Sequence, residues 1–183
     1  SKDNNLINLE FLFDMQVPLA IVGIKNQIIW RKFAEISLKN IKLLEEDLEF
    51  LMNSIFAFPR SKAITYQSYW NKIFSILRDK LNEFEIDDLS HIAICLDEKL
   101  FLEDRNVHDL LFENKDSKIF WNRLMKNIDM KVDTITTIST CNSLLKSFKD
   151  NSILRSLSLN EYSKGSLKIR VEDKLNSLLK QRI

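Results

Sequence analysis

Trp30-Arg31-Lys32-Phe33, Trp70-Asn71-Lys72-Ile73 and Trp121-Asn122-Arg123-Leu124 decide the fold. In each, a basic residue stands two positions after the tryptophan and an apolar one three positions after it. Each leads to an acidic helix start and an apolar helix: Glu46-Asp47-Leu48-Glu49-Phe50-Leu51, Asp87-Asp88-Leu89-Ser90-His91-Ile92 and Asp133-Thr134-Ile135-Thr136-Thr137-Ile138. The second and third place a cysteine alike, Ile86 to Cys95 against Val132 to Cys141. The tryptophans stand 40 and 51 residues apart, the longer interval holding an insertion around residues 102–115. A repeat of that size carries two helices. One such pair cannot bury its apolar faces alone, and stacked pairs bury them continuously. The chain therefore reads as all-α, an α-solenoid of about three helix-pair repeats in a single domain over residues 1–183. Its units lie at about 28–58, 66–101 and 117–148, after an N-terminal helical cap and before a C-terminal amphipathic helix at 167–183. The competing architecture is an irregular helical bundle.

Helix boundaries follow from apolar periodicity and caps. Pro18 is expected to interrupt an N-terminal segment opened by Leu6, Leu9, Phe11 and Phe13. A long helix is predicted from Leu19 to Leu43, then Glu45 to Phe58, stopped by Pro59. Tyr66 to Phe84 follows, capped by Thr65, and Asp87 to Leu100, with Asp87 as N-cap. A fifth helix runs to about Asp129 from a cap at Asp116 or Ser117. Residues 132–148 have strand propensity, but Ile135, Ile138, Cys141, Leu145 and Phe148 repeat at three or four, so period outranks propensity and predicts helix.

Composition narrows the classes further. Hydrophobic residues at 45% and charged residues at 29% allow a buried core. Two glycines and two prolines argue against turn-dense β folds, and Gly23 and Gly165 are too isolated for a phosphate-cradling loop. Two cysteines make no disulfide framework and fit a reducing intracellular compartment. The longest apolar stretch, Val17 to Ile24, is too short to span a bilayer, and Lys2 and Asp3 lead into Leu6–Met15 without a cleavage site of small residues.

Catalytic patterns are sparse. His91 and Cys95 share a helical face at i, i+4, but a structural zinc wants four ligands, and His108 and Cys141 fall elsewhere in the sequence. Packing accounts for both cysteines. Arg105 and His108 are three positions apart in a segment read as loop, and Glu45/Glu46 and Asp87/Asp88 start helices, so capping explains those carboxylates. No Ser/His/Asp order is present, so no enzyme, cofactor or metal is expected.

Charge carries the functional reading. Net charge is +1, yet the first helix of each unit is basic and the second leans acidic. Arg31, Lys32, Lys39, Lys72, Arg78, Lys80, Arg123 and Lys126 are the candidate RNA-binding residues, with Tyr69, Trp70, Phe120 and Trp121 interleaved. The tryptophans also read as inter-repeat core. Stacked equivalent helices would turn this into a basic surface and an acidic surface. A third use of the fold is peripheral membrane association, through a C-terminal helix with Lys168, Arg170, Lys174, Lys180 and Arg182 on its polar side.

Tyr69-Trp70-Asn71-Lys72-Ile73 followed by Phe84-Glu85-Ile86-Asp87-Asp88-Leu89-Ser90-His91-Ile92 resembles the heptatricopeptide-type helical repeats of FAST-kinase-like and RAP-domain proteins. Those units pair an aromatic-rich first helix with a Phe…Asp-Leu-Ser entry into the second. The resemblance spans about Trp30 to Phe148; the first unit lacks the Phe and Ser, and the third has Thr134 where Leu is expected. No RAP domain reads at the C-terminus. The resemblance implies a non-catalytic module in mitochondrial RNA metabolism, binding RNA or a ribonucleoprotein such as a mitochondrial ribosome, with other protein subunits nearby. The alternative is a protein–protein scaffold of the same architecture.

Overall fold

The computed structural model describes residues 2–62, 66–162 and 165–181. Eleven α-helices account for most of them: α1 Lys2–Ile21, α2 Gln27–Lys39, α3 Ile41–Glu46, α4 Leu48–Arg60, α5 Gln67–Lys80, α6 Ile86–Cys95, α7 Arg105–His108, α8 Lys115–Lys131, α9 Ile138–Asp150, α10 Ser152–Ser158 and α11 Leu167–Lys180. Short 3-10 turns lie at Glu98–Phe101 and Val132–Thr134, and a π turn at Asp109–Glu113. The two-residue strands β1 (Glu161–Tyr162) and β2 (Gly165–Ser166) pair antiparallel. The chain is all-α, as its periodicity predicts.

Several boundaries differ from expectation, each for a local reason. Pro18 does not interrupt α1; it lies on the solvent side of the last turns, while Phe13, Gln16 and Ala20 bury their face against α4. The long helix over 19–43 is broken instead by Gly23. With φ at 77° it takes the left-handed conformation that closes a helix end, and Ile24 N–H donates back to the Leu19 carbonyl (2.9 Å). Asn26 then caps α2, accepting from the N–H groups of Ile28 and Ile29. Asp47 splits the predicted 45–58 helix by capping α4, and Pro59 sits within its last turn. Glu85, not Asp87, starts α6, through a reciprocal capping box with Asp88. Asn114, not Asp116 or Ser117, caps α8 by accepting from Ser117 N–H. The Thr65 cap lies outside the described residues.

The tryptophan helices share one burial pattern. Trp30, Trp70 and Trp121 are fully buried, and so are the positions three, four and seven residues later: Phe33, Ala34, Ser37; Ile73, Phe74, Leu77; Leu124, Met125, Ile128. The helices that follow align by their caps. Four, ten and eleven residues after Asp47, Glu85 and Thr137 stand the buried sets Leu51/Leu89/Cys141, Ala57/Cys95/Ser147 and Phe58/Leu96/Phe148. The two cysteines are therefore six positions out of register, because the 3-10 turn at 132–134 delays α9; their apparent equivalence in sequence does not hold. In space α1 packs on α4, α4 on α6, α6 on α9 and α9 on α11. On the other side α2 packs on α5, and Phe74 of α5 meets Phe120 of α8.

Buried rings tie these helices together. Trp30 contacts Phe58 (5.3 Å between centroids), Phe58 stacks on Tyr69 (4.2 Å), and Tyr69 meets Trp70 edge-on (5.5 Å). Trp70 continues to Phe101 (5.1 Å), Phe101 to Phe112 (5.6 Å) and Phe112 to Trp121 (5.6 Å). The stretch 102–115, read in the sequence as an insertion, thus carries one of the bridging rings, Phe112, and Phe101 stands just before it. The indole N–H of Trp30 donates to the Ile24 carbonyl and that of Trp121 to the Leu111 carbonyl, both at 2.7 Å. Trp70's is buried with no partner among the described residues.

Truncating any of the three tryptophans to alanine should cost about 3–5 kcal/mol of stability through the cavity left behind. Trp30→Phe and Trp121→Phe also lose a hydrogen bond and orphan a carbonyl, at about 1 kcal/mol or more. Trp70→Phe loses no such bond, so chemical denaturation should rank it the mildest of the three.

Candidate nucleic-acid interface

The shared burial pattern sets the rotation of each tryptophan helix about its axis. The position two residues after the tryptophan then faces away from the core in each: Lys32 on α2, Lys72 on α5 and Arg123 on α8, the first two exposed and the third half-exposed. Arg31, Lys39 and Lys126 are exposed on the same helices, with Arg78 and Lys80 half-exposed at the end of α5. All eight predicted residues thus reach the surface.

Their surroundings are not uniformly basic. Lys32 pairs with Glu35 (3.5 Å), Lys72 with Glu45 of α3 (3.3 Å), Arg78 with Asp79 (3.4 Å) and Lys80 with Glu83 (3.8 Å). Arg31 donates to the Tyr66 hydroxyl (3.0 Å) and lies over its ring. Lys39, Arg123 and Lys126 have no carboxylate partner among the described residues. Glu45, Lys72, Ser75, Ile76, Asp79 and Lys80 line a groove of about 290 Å³ in which both signs mix. Such exposed pairs each contribute under about 1 kcal/mol, so a phosphate can displace the carboxylates.

Most carboxylates of the predicted acidic surface also hold structure, while staying at the surface. Asp47 and Asp88 cap helices, Asp97 caps the 3-10 turn, Asp87 accepts from the Thr140 hydroxyl, and Glu98 accepts from Ser152. The interleaved aromatics are consumed: Tyr69, Trp70, Phe120 and Trp121 are fully buried and present no ring on which a base could stack.

The C-terminal helix is likewise engaged. Leu167 and Val171 are buried, and α11 packs on α9. Arg170 forms a largely buried ion pair with Asp129 of α8, and Lys174 donates to the Asp133 carbonyl (3.0 Å). The apolar face expected to lie on a membrane is therefore packed against protein, though Ile169 and Leu179 stay exposed; Arg182 lies outside the described residues. No described helix is long and apolar enough to cross a membrane.

His91 and Cys95 meet as the i, i+4 spacing requires, with Nε2 and Sγ 3.4 Å apart. Burial pushes the Cys95 thiol up to about 11, so it stays protonated at neutral pH and no thiolate nucleophile forms. Cys141, in another helix, is buried separately. Arg105 and His108, discounted in the sequence, begin and end the short α7. Comparison with protein-family models, with curated proteins and with solved structures finds no match to this chain.

Burial also lowers the His91 pKa, with Arg60 acting the same way and the Met52 carbonyl and Asp88 opposing. The folded protein thus favours the neutral imidazole, while the unfolded chain takes up a proton near pH 6.5. Stability is complete above that pH and falls as pH drops through the lowered folded value. Melting curves from pH 7 to 5 should show a loss that His91→Gln reduces; an identical loss in the variant assigns it to other groups.

Proposed function

We propose that this chain is a non-catalytic α-solenoid module that binds RNA by its phosphate backbone, through the outward row of its tryptophan helices. Three units form the solenoid: α2 with α3 and α4, α5 with α6, and α8 with α9. The helix α1 covers one end, and α10 and α11 extend the other. The common register of Lys32, Lys72 and Arg123 carries this reading, since a repeat protein offers equivalent positions on one surface. Lys39 and Lys126 add cations with no acidic partner among the described residues. With every tryptophan buried, the mode is electrostatic and tolerant of sequence, without stacking. The resemblance of the second unit to heptatricopeptide-type repeats favours a mitochondrial RNA or ribonucleoprotein as the partner.

A protein–protein scaffold is the second reading. It is favoured by exposed apolar side chains around the α1–α2 turn: Ile21 at 68%, Val22 at 70% and Ile28 at 80% exposure.

The two separate in one titration. Single-stranded RNA should bind at low salt with affinity falling linearly on logarithmic axes, and Lys72→Glu with Arg123→Glu should weaken binding and flatten the slope by about 1.4, roughly 0.7 per phosphate contact. The melting temperature should hardly move, because exposed charges contribute little. Asp47→Asn, which keeps the α4 cap, should leave RNA affinity unreduced. No RNA binding at low salt, with a salt-insensitive protein complex recovered instead, rejects the RNA reading in favour of the scaffold.

A further inference from the structure

The insertion between the second and third units brings together residues that the sequence leaves apart. His108 ends α7 and the chain passes directly into the π turn Asp109–Glu113. The turn is closed by Asn114 N–H donating to the Asp109 carbonyl five residues back (2.9 Å). Such a turn holds more residues than an α-helical one, so side chains five apart stack over each other, which an ordinary helix does not allow. His108 and Glu113 are five apart. His108 Nδ1 consequently lies 3.3 Å from Glu113 Oε1.

Asp109 joins them, and one donor atom from each of the three residues falls within 4.8 Å of the others. One polar atom in this cluster, Asp109 Oδ1, is buried with no hydrogen-bond partner among the described residues. A buried carboxylate oxygen left bare is costly, so each such group calls for an explanation. Behind the imidazole, Glu98 Oε1 lies 3.3 Å from Nε2, and Glu98 is itself anchored by the N–H and hydroxyl of Ser152 (3.0 and 2.6 Å).

We propose that His108, Asp109 and Glu113 are the protein ligands of a divalent-metal site for which Zn²⁺ is the matching ion. Tetrahedral zinc with bonds of about 2.0–2.1 Å separates neighbouring ligand atoms by about 3.3–3.4 Å, the spacing of Nδ1 and Oε1 here. The imidazole coordinates through Nδ1, and its other ring nitrogen carries the proton toward Glu98. A carboxylate behind a ligating histidine fixes its tautomer and raises its basicity. Asp109 Oδ1 gains the partner it lacks, and the exposed Glu113 gives the ion access from solvent. Water completes the fourth position. Three protein ligands and a water make this an open site rather than a closed four-ligand one. His108 packs on Phe112 (5.2 Å between ring centroids), so the ion also steadies the segment whose rings bridge Trp70 to Trp121.

The test uses the full chain stripped with a chelator and titrated with ZnCl₂. One equivalent should bind, and at roughly a hundredfold excess over Kd the melting temperature should rise by about 5–10 °C, with no comparable rise for MgCl₂. Glu113→Gln and Asp109→Asn keep side-chain size and should each abolish most of the rise, while His91→Gln and Cys95→Ser should not. Co²⁺ gives a second readout on the unaltered chain. Its complex should show d–d absorption without a thiolate charge-transfer band, because no cysteine is a ligand. Absence of a Zn²⁺-induced rise, a rise that survives Glu113→Gln, or a thiolate band in the Co²⁺ protein would each overturn the assignment.

Discussion

The rest of the structure hangs on an unbroken line of buried rings. It runs from Trp30 through Phe58, Tyr69, Trp70, Phe101 and Phe112 to Trp121, with centroid separations of 4.2–5.6 Å. Each ring buries a large apolar area, and edge or stacked contact adds about 0.5–1.5 kcal/mol per pair beyond that burial. The links between successive helices do not by themselves fix how those helices pack on their neighbours. Large side chains crossing from one pair to the next do this instead. The ring line also constrains rotation: once the tryptophan is inward, the buried positions three, four and seven residues later follow, and the exposed positions are set with them.

That constraint links packing to the proposed function. Lys32, Lys72 and Arg123 share a surface register only because the tryptophans two residues before them share a core register. The same packing takes the aromatics away from any ligand. It also brings Glu45 of α3 to Lys72 of α5, so the charges that separate by helix in the sequence interleave on the surface. An interface of this kind is electrostatic, shallow and responsive to salt.

The insertion shows how local geometry changes the meaning of a residue. His108 five positions before Glu113 carries no signal at α-helical spacing, and the stretch reads as a loop. The π turn stacks the two, and the 3-10 turn before it delivers Glu98 from the other side. The same segment places Phe112 in the ring line between Phe101 and Trp121. An added piece of chain thus continues the contact that Phe58 and Tyr69 make between Trp30 and Trp70.

The all-helical class and the amphipathic C-terminal helix were determined by the sequence alone, because period is a local property of the chain; the tryptophans read both as core and as part of a binding row, and only their burial in the structure chose between the two. Gly23, Asn26 and Asn114 were readable as a helix stop and two caps, yet the apolar run across them hid the breaks. Only the tertiary structure decided that α11 spends its apolar face on α9 and its Arg170 on Asp129, and that the two cysteines are out of register. It alone decided which lysines meet carboxylates, and which carboxylates meet His108. Those outcomes depend on side chains about 20 to 50 residues apart arriving at one place, and no spacing along the chain encodes where a neighbouring helix will lie.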